Sequence, residues 1–415
     1  MIQERQTCRT CGKSTLELVL DLGQTPLAND FIDPTEVARY TTFLPLRLCV
    51  CRNCTLAQLA DTVDPNVLYA RYAYVTSTSR TMDEHLSEQC GRLIAVAGLK
   101  KGTRVLEIAS NTGVYLKKFQ AKGCEVLGVE PAENISEMAV KSGVPTRTEF
   151  FNSTNAKRIA AEWGKADLIV GRHVFAHIDD LRDLLRGLDT IAHPDTVIAF
   201  EVPYLVDFFN GTQFDTIYHE HLSYVSVKSV QALTSGTPFF VQRVDYYPIH
   251  GGSILFQLRN RQTTVEEHAT VQQAIENEEK MGLGAPDSWR PFVERVEYIR
   301  TELPGLIRKL RAGGKRVIGY GASAKGNTLL NTCGLTTKDL DYIIDNTPFK
   351  QNKVAPGSWL PIRPPEWLMG DRSDYALILA WNFATEIVRR ETDYQKNGSR
   401  FILPIPEPKI VEYPG

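Results

Sequence analysis

Arg104-Val105-Leu106-Glu107-Ile108-Ala109-Ser110-Asn111-Thr112-Gly113 decides the fold. An apolar run of strand length leads into a turn of small residues and then, from Val114, into a helix. A second apolar run, Glu125 to Val129, ends on Glu130. A third, Asp167 to Val170, runs into Gly171-Arg172-His173-Val174-Phe175-Ala176-His177. Strands alternating with helices predict a parallel, doubly wound α/β sheet whose ligand lies at the strand C-termini. An acid at the tip of the second strand accepts hydrogen bonds from ribose hydroxyls, which makes Glu130 the expected ribose anchor. The pattern suits S-adenosylmethionine as well as a dinucleotide.

A second unit of the same kind stands near the C-terminus. Lys315-Arg316-Val317-Ile318 enters Gly319-Tyr320-Gly321-Ala322-Ser323-Ala324-Lys325-Gly326-Asn327, a strand, a glycine turn and a helix start. Backbone N–H groups at such a helix N-terminus cradle phosphate, and Lys325 adds a point charge for a diphosphate. The next strand, Tyr342 to Ile344, ends in Asp345, placed for a ribose or sugar hydroxyl; a third follows at Ala376 to Leu379. Between the two units, apolar residues at helical spacing from Arg290 to Arg311 predict a connecting helix, with Pro304 expected to kink or interrupt it.

Upstream, Cys8-Arg-Thr-Cys11 and Cys51-Arg-Asn-Cys54 form two knuckles, each presenting two thiolates from one tight turn. Together they make a closed tetrahedral site suited to structural Zn²⁺. Cys49 competes with Cys51 but lacks the two-residue spacing to Cys54. The segment from 12 to 50 is long enough to need structure of its own, and Cys90, Cys124 and Cys333 read as isolated buried thiols.

The densest chemistry is Asp215-Thr216-Ile217-Tyr218-His219-Glu220-His221-Leu222-Ser223-Tyr224. A phenol, two imidazoles and a carboxylate in succession are proton-transfer groups, and His titrates nearest neutral pH. Composition sets the frame for them. The chain has 415 residues, 43% of them apolar and 23% charged, with a net charge of −2. That length implies two or three domains, and that charge carries no footprint for nucleic acid. No 18-residue apolar run is present to span a bilayer, and the polar N-terminus is not a signal peptide. A cytoplasmic protein is expected, with its eight cysteines as ligands or free thiols.

The series Cys-x-x-Cys, Cys-x-x-Cys, VLEIASNTG, RHVFAHI, EVPY, DTIYHEHLSY, HGGS, GYGASAKGN and LAWNF resembles the three-domain sugar C-methyltransferases along essentially the whole chain. These transfer a methyl group from S-adenosylmethionine to C3 of a nucleotide-linked 4-keto-6-deoxysugar. The resemblance implies a zinc-binding domain over 1–76, a Rossmann-like methyltransferase domain over 77–295 and a C-terminal Rossmann-like α/β domain over 296–415. It implies cofactor contacts from Glu107, Ala109, Asn111, Gly113, Glu130, Arg172 and His173. Substrate contacts are implied for Tyr204, Tyr224, Gly321, Ser323, Lys325, Asn327 and Asp345. The expected substrate is a dTDP-linked sugar and the expected state a monomer. The chain departs from the family loop in carrying Ala109 in place of Gly and Thr112 in place of Asp.

Carbon methylation needs a carbanion equivalent, so a base must remove the C3 proton beside the C4 ketone and the enolate oxygen must be stabilised. His221 is the expected base and Glu220 its partner. Tyr218 and His177 are expected to donate to the enolate or the sugar hydroxyls, and Tyr74 resembles a family tyrosine near the transfer site. Two rival readings are an NAD-dependent sugar oxidoreductase built on the GYGASAK turn and a non-enzymatic zinc-knuckle protein. The first leaves VLEIASNTG and YHEH idle.

Overall fold

Arg104–Ile108 is an inner strand of a seven-stranded sheet. The strands run in the order Phe239–Tyr247, Ser253–Asn260, Ala192–Pro203, Ala166–Arg172, Arg104–Ile108, Glu125–Val129 and Thr146–Arg147. The structure, a computed structural model, describes residues 2–69 and 80–411. Tyr74 and the expected boundary at 76 lie outside them. All neighbouring pairs are parallel except those made by Ser253–Asn260, which runs against both its neighbours. Successive side chains of a strand face opposite ways. Leu106 and Ile108 therefore meet Leu181, Leu184 and Leu188 of the helix Leu181–Ile191 on one face. Val105 meets Tyr115, Leu116 and Phe119 of the helix Val114–Gln120 on the other. The chain crosses to opposite sides of Arg104–Ile108, and a ligand crevice opens at that switch point.

The second unit folds as expected, with its first strand displaced to Val317–Tyr320. Lys315 and Arg316 are held outside it by charge, paired with Asp374 and with Asp341 and Asp371. A six-stranded sheet forms around this strand, parallel up to its final antiparallel pair. In the N-terminal region Leu16–Pro26, Phe43–Cys51 and Ala57–Leu59 make a sheet whose fourth strand is Ser223–Tyr224. The end of the HEHLSY run is thus an edge of the N-terminal sheet.

The helix Arg290–Ala312 runs unbroken through Pro304, against the expected interruption. Proline removes one hydrogen bond, but Phe292, Val296, Ile299, Leu303 and Ile307 bury one continuous face, at roughly 1.5–3 kcal/mol per large side chain. The expected boundary after 295 falls inside this helix. Its apolar face sits in a core shared by Leu46 and Leu48 of the N-terminal sheet, Phe208 and Ile217 of the middle region, and Leu329 and Leu377 of the C-terminal one. Among the described residues, no helix is long and apolar enough to cross a membrane.

Asp215 marks the junction of the last two regions. Its buried carboxylate accepts the Trp381 indole N–H at 2.5 Å, and burial pushes its pKa up to about 6. Trp381→Phe keeps the ring and strands the carboxyl. The expected loss is about 1–3 kcal/mol, read as an earlier thermal or urea transition. An unchanged transition would show that the junction does not rely on this bond.

Candidate active site

The turn expected to hold the cofactor is built from left-handed backbone. Ala109, Asn111 and Gly113 have φ of 55°, 49° and 74°. At Gly113 a Cβ would lie 2.9 Å from Val144, so only glycine fits. Ala109 occupies a conformation that costs an L residue roughly 1–2 kcal/mol, the local consequence of its departure from glycine. The turn is tied down by Glu130, whose two oxygens accept the N–H groups of Asn111 at 2.9 Å and Ala132 at 3.0 Å. Each carboxylate oxygen keeps lone-pair capacity for a ribose hydroxyl. Glu107 is buried with Oε2 unpaired among the described residues; burial pushes its pKa up to about 8, against the pull of Arg172. Arg172 lies 5.6 Å over the Tyr115 ring. An unsatisfied buried acid near the end of the strand, beside a turn anchored by Glu130, fits the ammonium and ribose ends of S-adenosylmethionine.

A cleft of about 2040 Å³ continues from this turn. Its wall carries Tyr218, Glu220 and His221, with His177 beside them. His221 Nδ1 lies 2.9 Å from the Thr216 carbonyl and Nε2 lies 2.7 Å from Tyr218 Oη. A neutral imidazole has one N–H, so Nδ1 donates to Thr216 and Nε2 accepts the phenol proton. Burial, then neighbouring His177, holds the His221 pKa well below its ordinary value, so it stays neutral. The His177 ring stands edge-on to it at 5.0 Å, its own pKa pushed down to about 4 by burial.

The expected Glu220–His221 pair does not form. His221 spends Nδ1 on Thr216, and both Glu220 oxygens face Asn29 Nδ2, at 2.8 and 3.0 Å. His219 turns away to the Pro45 carbonyl at 3.2 Å.

Beside the cofactor turn, His173 Nε2 lies 3.1 Å from Glu201 Oε1, an ion-pair distance without hydrogen-bond alignment. Glu201 Oε2 meets His85 Nε2 at 2.6 Å and Gln89 Nε2 at 2.5 Å. Burial opposes its ionisation, yet His173, His85 and Arg172 hold its pKa well below the usual range. His250, in the HGGS run, lines the cleft with its ring 4.9 Å from that of His173. His85, Glu201 and His250 carry no periodic signal in sequence, although EVPY and HGGS contain the last two.

The cleft ends on the second turn. Gly321, with φ 89° and a would-be Cβ 3.0 Å from that of Ala380, lines it together with Ser323, Lys325 and Asp345. Asp345 accepts the N–H groups of Ala322 at 2.7 Å and Thr347 at 2.8 Å. Ser323 caps the following helix through the Gly326 N–H at 3.0 Å. Half-buried Lys325 stands 5.0 Å over the Trp381 ring, and Lys350 donates to the Ala322 carbonyl at 2.8 Å.

Three expected substrate contacts are spent on structure and are absent from the cleft lining. Tyr204 donates to buried Glu278 at 2.9 Å, and Glu278 also accepts the Val227 and Lys228 N–H groups. Tyr224 donates to the Thr216 carbonyl at 2.9 Å. Asn327 donates to the Ala28 carbonyl at 2.7 Å. In each case a buried polar group needs a partner, and the fold supplies one before a ligand does.

Cys8, Cys11, Cys51 and Cys54 bring four sulfurs within 4.8 Å of one another, while Cys49 stays apart. The Cys8–Cys54 and Cys11–Cys51 separations are 3.5 and 3.6 Å. A tetrahedral Zn²⁺ with bonds of about 2.3 Å sets sulfurs about 3.8 Å apart, so the cluster fits the metal. Arg9, between the first two cysteines, is buried and donates to Asp179 and to the Leu59 carbonyl, at 2.9 and 2.7 Å. The knuckle is thereby fastened to the loop that carries His177.

Family models match in three consecutive stretches. They are a putative zinc binding domain over 8–69, a methyltransferase domain over 82–238 and a C-methyltransferase C-terminal domain over 248–406. C-methyltransferase NovU of Streptomyces niveus is 38% identical over 404 residues, covering 97% of this chain and 96% of the relative. An uncharacterized methyltransferase of Bacillus pumilus is 28% identical over 103 residues, 24% of this chain and 47% of its own. Among solved structures, magnesium protoporphyrin IX methyltransferase ChlM from Synechocystis with bound SAH matches at 13% identity and a TM-score of 0.34. It covers 43% of this chain and 83% of its own. The middle domain binds S-adenosylmethionine, and the N-terminal one binds zinc.

Elemental analysis should find one zinc per chain. Cys51→Ser should lose it and lower the unfolding temperature, since structural zinc contributes folding energy directly. Full zinc retention in that variant would remove Cys51 from the ligand set. Glu130→Ala should weaken S-adenosylmethionine binding roughly 10–100-fold by titration calorimetry, through the lost ribose bonds and the released turn. Unchanged affinity would place the ribose elsewhere.

Proposed function

We propose a reaction for this chain from its family, because it belongs to the S-adenosylmethionine-dependent C-methyltransferases. It methylates C3 of a nucleotide-linked 4-keto-6-deoxysugar, through an enolate. The observation that carries this reading is the Tyr218–His221 pair, a neutral imidazole with a bare Nε2 facing a phenol in the cleft that begins at the cofactor turn. Carbon alkylation needs such a base, whereas transfer to an oxygen or nitrogen lone pair does not require a carbon acid to be ionised. The reach of the same cleft to Gly321, Ser323, Lys325 and Asp345 supports a substrate with a diphosphate or sugar at the far end.

S-adenosylmethionine supplies an electrophilic methyl group. Glu130 would hold its ribose and Glu107 its ammonium. As the C3–H bond breaks, the proton passes to Tyr218 Oη while the phenol proton passes to His221 Nε2, so no free phenolate forms. The electron pair moves onto the C4 oxygen as the enolate. The imidazolium created is steadied by its Nδ1–H bond to Thr216. Its positive charge and the enolate's negative charge arise together, which limits the cost of charging a buried site. His177, kept neutral by burial, stands beside this pair to donate to the enolate oxygen or a sugar hydroxyl. The base expected from sequence remains His221, acting through Tyr218 rather than with Glu220. Tyr74 remains a proposed contributor.

The test is incubation with S-adenosylmethionine and a panel of dTDP- and GDP-linked 4-keto-6-deoxysugars. Mass spectrometry should show the gain of one methyl and NMR should locate it at C3. A methyl at C5 would move the position, and no product with any sugar would overturn the substrate class. His221→Asn and Tyr218→Phe should each lose about 10²–10⁴-fold in kcat and in exchange of the C3 proton with deuterated water, with both ligands still bound. Wild-type exchange in His221→Asn would transfer the role of base to His177.

A further inference from the structure

The segment Leu27–Asp33 belongs to the N-terminal region, between its two long strands, yet it is fastened to both other regions. Asn327 Nδ2 donates to the Ala28 carbonyl at 2.7 Å, and the Val354 N–H donates to the Ile32 carbonyl at 3.0 Å, both from the C-terminal region. Phe31 packs 5.0 Å beneath Lys350 Nζ. Turn bonds from Asp30 N–H to Leu27 and from Phe31 N–H to Asn29 hold the tip. That tip brings Asn29 Nδ2 to 2.8 and 3.0 Å from the two oxygens of Glu220, and both residues line the cleft.

We propose that Asn29 is a positioning residue for methyl transfer: it clamps the Glu220 carboxylate against the N-terminal wall, so that the zinc-binding domain completes the active site. This deepens the reading above and rests on it. Glu220 precedes His221 directly, and without the clamp it takes up a proton, whose O–H would compete with the Tyr218 phenol for His221 Nε2. Among the described residues, no other side chain bonds Glu220. Lys350 donates to Ala322, Lys325 to His250 and His221 to Thr216, while Asp30 and His177 line the same cleft. Burial pushes the Glu220 pKa up to about 7, and the Asn29 amide pulls it back. Loss of the amide therefore favours the protonated acid.

The test uses the zinc-loaded full chain. The carbonyl stretch of protonated Glu220, identified by its absence in Glu220→Gln, is titrated by infrared spectroscopy. Asn29→Ala should bind that proton roughly 10–100-fold more tightly, the equivalent of a bond to a charged acceptor. The acid limb of the kcat profile should move to higher pH by the same amount. kcat at pH 7 should fall about tenfold or more, with S-adenosylmethionine affinity unchanged. Asn29→Asp, which sets a second carboxyl beside the first, should shift the titration further in the same direction. An unmoved Glu220 titration in both variants would overturn the proposal, as would a moved titration with unchanged kcat. A loss of activity accompanied only by a lower melting temperature would make Asn29 purely structural and would equally overturn it. The infrared titration needs no sugar, so a wild-type protein inactive on the whole panel would refute the substrate reading while the Asn29–Glu220 contact is still decided.

Discussion

One carbonyl oxygen organises the end of the cleft proposed to be reactive. Thr216 accepts both the Nδ1–H of His221 and the phenol of Tyr224, each at 2.9 Å. A neutral imidazole has a single proton to give, and giving it to a peptide oxygen leaves the other nitrogen bare for Tyr218. A carboxylate in that place would have raised the basicity of the ring and invited it to be charged in the resting state; a carbonyl orients it and leaves it neutral. The position of the carbonyl depends in turn on Tyr224, whose strand pairs with Ala57–Leu59. The proposed proton chemistry and the N-terminal sheet therefore share one mechanical unit.

The two nucleotide-type units solve the same local problem twice. Glu130 and Asp345 each end a second strand. Each accepts one N–H from the turn after the first strand and one from the residue two positions further on. A turn with left-handed residues has too few helical or ladder bonds of its own, and a carboxylate with several lone pairs can anchor it. The acid at the strand tip is thus part of the turn before it is part of any binding event.

That double use explains what could be read from sequence and what could not. Strands, turns and the cysteine cluster follow from local rules of period, φ and spacing, and these appear close to where they are expected. Tyr204, Tyr224 and Asn327 stand in runs rich in function, but their polar atoms answer to Glu278, Thr216 and Ala28. Glu278 lies far away on a separate helix, and nothing at short range announces it. Pro304 shows the reverse case, a strong local signal overruled by a long buried face. Asn29 has neither kind of signal: an ordinary polar residue in a loop, it matters only because three regions converge on it.

The core that joins Leu48, Phe208, Val296 and Leu377 bears on how such proteins can be recombined. Exchanging the C-terminal third with that of a relative would cut through the helix Arg290–Ala312 and strip the loop 27–33 of its anchors. A working chimaera would have to carry the Leu27–Asp33 loop and one whole face of that helix along with the transplanted part. The units that evolution and engineers can trade here are packing interfaces, and their edges do not coincide with the places where the chain passes from one sheet to the next.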